Sequence, residues 1–135
     1  MRHYTERLHP GMDLKKELLR IIQEQQIKAG VVLSLVGSLT MATLRLADGK
    51  TIKTWDEPFE IVSATGTLAA KDMHLHISLA GEDAKVIGGH VKIGCIVHTT
   101  VEVVFGIFDD VEYSWEQDDE TGYPELVLTT PTPRA

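Results

Sequence analysis

The sequence predicts an α+β fold: one compact domain on a largely antiparallel β-sheet, with one main helix near the N-terminus. Three observations carry this expectation. Only one long segment, from Asp13 to Gln25, shows a clear 3.6-residue apolar period. From Val31 onward, β-branched and apolar runs alternate with turn residues instead. At 135 residues the chain fits one domain, residues 1–135, and is long enough to bury a core without staples. One helix among about seven strands is the α+β pattern.

Taken in order, residues 1–9 read as a short strand with Tyr4 and Leu8 apolar, ended by Pro10-Gly11. Asp13 is placed to cap the helix. Leu14, Leu18, Ile21, Ile22 and Gln25 fall on one helical face, with Lys15, Lys16, Glu17, Arg20 and Glu24 towards water. Gly30 suits the left-handed position that closes such a helix. Strands are expected at 31–36, 39–46, 50–55, 59–69, 73–80, 91–105 and 125–130. Between them, Ala47-Asp48-Gly49-Lys50 is a hairpin turn, because Asp-Gly tolerates the positive φ angles of tight turns. Glu57-Pro58 and Gly81-Glu-Asp-Ala84 break two further connections. The acidic run Glu116 to Glu120 reads as a solvated loop, and residues 131–135 as a frayed tail.

Composition narrows the function classes. Hydrophobic residues at 43% and charged residues at 24% are ordinary for a globular protein. The longest apolar runs, such as Ala29 to Leu35, fall well short of a membrane span. Arg2, His3, Glu6 and Arg7 precede no apolar stretch of signal-peptide type. The lone Cys95 makes no intramolecular disulfide, so a cytoplasmic location is expected; inside Ile93-Gly-Cys-Ile-Val97 it reads as a small buried hydrophobe. A net charge of −7 repels phosphate backbones, and no local basic patch offsets it, so direct nucleic-acid binding is not expected.

The chemistry concentrates in His74-Leu-His-Ile-Ser-Leu-Ala-Gly81 and the Val86-Ile-Gly-Gly-His90 that follows, which hold three of the six histidines. Side chains two apart on a strand share a face, so His74 and His76 point one way and Leu75, Ile77 and Leu79 the other. Gly88 and Gly89 let the backbone turn or approach another group closely, bringing His90 back towards the pair. Three converging neutral imidazoles suit a divalent metal, zinc above others, with an open fourth position. The same spacing also occurs on ordinary half-buried strands, where each ring bonds a backbone carbonyl.

A second group lies on the strand around Cys95 to Val104, where His98, Thr100 and Glu102 share one face. Glu102 and Glu60 read either as acid/base or ligand-orienting groups, or as members of an inter-subunit hydrogen-bond network. Gly88-Gly89 lacks the spacing, lysine and helix of a phosphate loop. No G-x-S-x-G elbow occurs. His74, His76 and Glu82 mimic a cupin start, but the second cupin segment is missing and the helix comes first.

Six stretches carry a family resemblance: Arg7-Leu-His-Pro-Gly-Met-Asp-Leu14, Gly37-Ser-Leu39, Glu60-Ile-Val-Ser-Ala-Thr-Gly66, His74 to Gly81, Gly88-Gly-His90, and Gly94-Cys with Thr100-Val-Glu-Val103. In this order they resemble the PPC domain, the plants-and-prokaryotes conserved domain, over nearly the whole chain. The resemblance implies a compact α+β domain that assembles as a homotrimer, with His74, His76 and His90 as a metal site of the prokaryotic type. Plant relatives carry an AT-hook ahead of the domain, and the family label extends to DNA binding. This sequence has no Arg-Gly-Arg and no basic arm, so that property does not transfer residue by residue.

Three readings follow. The first is a homotrimeric PPC-domain protein with a three-histidine metal site near a subunit interface. In the second, the same site belongs to a small metal-dependent enzyme, with Glu102 or Glu60 carrying protons and Arg7 holding a small anionic ligand. The third is a DNA-binding regulator, which the acidic balance disfavours.

Overall fold

The computed structural model describes residues 1–131. The elements run β1 (Arg2–Leu8), α1 (Leu14–Glu24), β2 (Ala29–Arg45), β3 (Ile52–Trp55), β4 (Phe59–Ala69), β5 (Met73–Ala80), β6 (Val86–Val91), β7 (Ile96–Ile107), β8 (Glu112–Gln117) and β9 (Pro124–Thr129). Every strand pairing among the described residues is antiparallel. The expected architecture therefore holds as a mostly antiparallel sheet with one short helix near the N-terminus. Of the tail expected at 131–135, residues 132–135 lie outside the described residues.

Asp13 caps α1 as its sequence position requires. One carboxylate oxygen accepts from the Lys16 amide at 3.0 Å. The other accepts from the Gly94 amide at 2.7 Å, which ties the helix start to the loop before β7. Leu14, Leu18, Ile21 and Ile22 are buried against the sheet as the periodicity predicts. The C-terminus differs from expectation. The helix closes at Gln25, and Gln26, with φ 52°, takes the left-handed position assigned to Gly30. Closing early lets the Ile27 amide bond the Ile22 carbonyl at 2.9 Å and buries Ile27. Gly30 instead lies in β2, where a Cβ would stand 2.7 Å from the Gly106 carbonyl oxygen. Its glycine serves close strand approach.

β2 fuses the two strands expected at 31–36 and 39–46. Gly37-Ser38 does not interrupt it, because register shifts against β7 at Val32/Ser34, Gly37/Leu39 and Leu39/Met41 absorb the irregularity as bulges. The run expected at 91–105 divides instead into β6 and β7, separated where Gly94 adopts φ 109°. Gly88 and Gly89 are extended residues inside β6. The reversal that returns His90 to β5 is the Gly81–Lys85 turn, closed by the Gly81 amide on the Lys85 carbonyl at 2.9 Å. The close approach expected of the glycine pair is present: added Cβ atoms would stand 2.8 Å from the Ile77 oxygen and 2.7 Å from the Arg45 oxygen.

The main sheet runs β1-β7-β2-β4-β5-β6 and then returns, because β6 also pairs with β2 through Leu44↔Val91 and Arg45↔His90. β2, β4, β5 and β6 thus form a closed ring, with β3 on the end of β2. Leu44, Leu68, Leu75, Ile77, Leu79, Val91, Val101, Val103 and Phe105 join the helix residues in one core. The opposite sheet face leaves Leu33 at 49%, Val36 at 49% and Val62 at 55% exposure. β8 and β9 form a separate hairpin. No helix of the described residues is long and apolar enough to cross a membrane.

Candidate metal centre

The register of the ring places the histidines. His76 on β5 is directly opposite Thr65 on β4 and His90 on β6, and His90 is directly opposite Arg45 on β2. Directly paired residues point to the same side. One lateral row, Thr65–His76–His90–Arg45, therefore crosses four strands on the outer face. His74, opposite Thr67, sits two residues along β5 on that face. Behind them Leu75 and Ile77 are buried, as the alternation predicts.

The three imidazoles converge. His74 Nε2 and His76 Nε2 are 3.1 Å apart, and one potential ligand atom from each of His74, His76 and His90 lies within 4.8 Å of the others. Two nitrogens on one tetrahedral zinc, each at about 2.0–2.1 Å, stand about 3.3 Å apart, so the His74–His76 separation is already that of a ligand pair. His90 Nδ1 is buried without a hydrogen-bond partner, an unmet polar group at the cluster's edge. Electrostatics favour the neutral form of His90 and His76. Burial, then Arg45, lowers His90 to about 4, and burial followed by His74 and Arg45 lowers His76 below the usual histidine range. Neutral imidazole is the ligating form, so the donor set fits a divalent cation.

Beside the row, a cavity of about 470 Å³ is lined by His76, His90, Arg45, Ser63, Thr65 and Ser78, together with Leu46, Ala47, Gly49 and Gly88-Gly89. Arg45 and Thr65, which line this cavity beside the histidines, were not among the candidates read from the sequence. The only signal for Arg45 was a long cation ending an otherwise apolar strand, and its pairing with His90 depends on a non-local ring closure.

The remaining candidates lie elsewhere within the chain. Arg7 Nε donates to Thr100 Oγ1 at 3.0 Å, and Glu102 is opposite Arg7 in the β1–β7 register. His98, exposed, is on the same strand. β7 is three strands from β5, about 14 Å at ordinary strand spacing. Glu60 pairs with Ser38 and Ala80, five residues along β4 from Thr65, or about 17 Å. Within one chain, then, neither glutamate orients a histidine. Cys95 is fully buried, its thiol pushed up to about 11 chiefly by burial, as a packing residue should be.

Comparisons with known proteins agree with this frame. A bifunctional protein GlmU of Synechococcus sp. (strain JA-3-3Ab) is 41% identical over 140 residues, covering 99% of this chain and 22% of that protein. The chain spans only about a fifth of the length of the curated relatives it matches first. A hypothetical protein of Salmonella cholerae-suis has a solved structure with TM-score 0.94 and 32% identity, covering 97% of this chain and 95% of that one. A metal-containing protein from Archaeoglobus fulgidus shares the fold at TM-score 0.80 and 24% identity, over 94% of each chain. The family model described as the Plants and Prokaryotes Conserved (PCC) domain matches residues 1–109, and the chain belongs to that family.

Proposed function

We infer that this PCC domain is a homotrimeric metal-binding module in which His74, His76 and His90 hold a divalent ion, zinc by the chemistry of an all-imidazole set. The observation that carries the reading is the convergence of the three rings, with two nitrogens already at ligand-pair separation. A relative of the same fold is itself described as metal-containing. When bound, such an ion supplies a Lewis-acidic centre with a position open to a further ligand. The protein's own surroundings favour the neutral form of His76 and His90, and the β4–β5–β6 register fixes the direction of the rings. Assembly is supported by the exposed Leu33, Val36 and Val62 on one sheet face and by the family resemblance. A soluble cytoplasmic setting fits the lone buried thiol. The charge of −7 weighs against DNA as the partner.

The test is metal content after dialysis of wild-type and His76→Ala protein, with light scattering on both. Wild type should retain about one ion per chain and the variant almost none, because a three-nitrogen site loses most of its affinity with one ligand. Both should scatter as particles of about 45 kDa, three chains of 15.0 kDa each. Equal metal content in the two proteins ends the metal reading, and a 15.0 kDa particle ends the trimer.

A further inference from the structure

We propose that the cavity beside the histidines is a binding site for a short dicarboxylate, one carboxylate directed to the ion held by His74, His76 and His90 and the other to the Arg45 guanidinium. The proposal rests on the metal reading above and extends it to the ligand. It starts from Arg45, whose Nε is buried without a hydrogen-bond partner and which makes no ion pair among the described residues. A buried, unpartnered guanidinium nitrogen is a cost that the fold would relieve by pairing it, and this chain has 20 Asp and Glu available. None of them lines the cavity. The lining is cationic and hydroxyl-rich instead: Arg45 with Ser63, Thr65 and Ser78, next to two imidazoles. In a protein of net charge −7, a cavity without a carboxylate is selective for an anion that arrives from outside.

The geometry narrows the class. Arg45 and His90 are directly opposite in the β2–β6 register, which puts their side-chain bases about 5 Å apart on one face. The cavity therefore has two positive centres side by side, the ion and the guanidinium. Neutral imidazoles leave the charge of a divalent ion uncancelled. Each centre takes one carboxylate, and the planar fork of arginine suits a bidentate pair. A monocarboxylate fills one centre only, and phosphate presents its oxygens around one point. A volume of about 470 Å³ accepts a molecule of a few carbons. The hydroxyls of Ser63, Thr65 and Ser78 are the remaining polar partners for it.

The experiment is calorimetric titration of the full chain, loaded with zinc, with succinate, acetate and inorganic phosphate. It is run on wild type, Arg45→Gln and Arg45→Lys, with zinc content and circular dichroism measured on each. Succinate should bind wild type more tightly than acetate or phosphate does. Arg45→Gln should weaken succinate at least about tenfold at unchanged zinc content, and Arg45→Lys should recover part of the loss by restoring charge without the fork. Equal succinate affinity in wild type and Arg45→Gln, with zinc retained by both, overturns the dicarboxylate site and leaves the metal reading standing. Acetate or phosphate binding as tightly as succinate overturns the two-point geometry. Loss of zinc from wild type on dialysis defeats the metal reading instead. Succinate titrated into that metal-free chain then decides the anion site: Arg45-dependent binding upholds it, and no binding overturns it.

Discussion

Gly37→Ala is expected to be among the most damaging single-methyl changes in this protein. An added Cβ would stand 2.0 Å from the Thr100 carbonyl oxygen and 2.8 Å from the Val101 Cα. An ordinary carbon–oxygen approach between strands is about 3.3 Å, so the gap is short by more than an ångström. The obstacle is backbone, so no rotamer change relieves it. β2 and β7 must part at the Gly37↔Val101 pair, straining Val36↔Glu102 beside it. Overpacking of this kind costs about 1–3 kcal/mol. The φ of 155° adds about 1–3 kcal/mol for a side-chain-bearing residue. A combined loss of about 2–6 kcal/mol is a large share of a typical 5–15 kcal/mol, and it corresponds to a melting point lower by roughly 6–20 °C. Gly49→Ala and Gly122→Ala are the controls. They share positive φ, 74° and 77°, but have nothing within 4 Å of the new carbon, so each should cost only about 1–2 kcal/mol. Urea denaturation followed by circular dichroism at equal protein concentration compares the three. A Gly37→Ala midpoint no lower than that of Gly49→Ala would refute the reasoning.

Three further outcomes are expected. His90 is held at about 4 in the folded chain, chiefly by burial, against about 6.5 unfolded, so the unfolded state takes up the proton first on acidification. The stability this contributes is full above pH 6.5 and is lost as pH falls towards 4; metal-free protein should be weaker at about pH 5 than at pH 7, and His90→Gln should flatten the slope, unless denaturation midpoints show the same pH dependence in both. The Cys95 thiol, buried and pushed up to about 11, should stay unlabelled by an aromatic disulfide reagent near neutral pH until denaturant is added, and rapid labelling of native protein would contradict its placement. Asp48, lowered to about 2 by hydrogen bonds from the Thr51 hydroxyl and the Lys50 and Thr51 amides, should titrate near that value by carbon-detected NMR; Thr51→Ala should move it up towards 3.8, and an unmoved midpoint would show that the hydroxyl is not its main support.

Local signals in the sequence were sufficient for whatever local physics decides. Asp13, the Leu14–Ile22 stripe, the Asp48-Gly49 turn and the His74/His76 alternation each involve residues within a turn or two of one another, and the structure reproduces them. What was not legible is non-local. Gly37-Ser38 looks like a break because nothing in the sequence announces a bulge whose partner is more than 60 residues away. Gly30 looks like a helix stop because its real constraint, the Gly106 carbonyl, is equally distant. The same reason explains the site. The His74–His76–His90 cluster follows from one hairpin and could be anticipated, whereas Arg45 enters through the β2–β6 closure. Glu102 and Glu60 share the expected face type but belong to strand positions that the sheet order carries away from the histidines.

The long strand β2 has a consequence for how the molecule comes apart. It is hydrogen-bonded to β7, β4, β3 and β6, so it belongs at once to the Arg7–Thr100 side of the sheet and to the histidine ring. Sheets assembled from separable hairpins can lose one unit while the rest persists. Here such partial opening is blocked, because any unfolding that frees β2 removes a neighbour from four strands together. Amide hydrogen exchange along β2, β4 and β7 should therefore occur in one common event of global free energy, while the β8–β9 hairpin, in its own sheet, exchanges earlier. Folding faces the mirror-image demand. Strands far apart in sequence must find β2 before any of them is secure, which places the chain among slow, non-local folders on the millisecond-to-second scale.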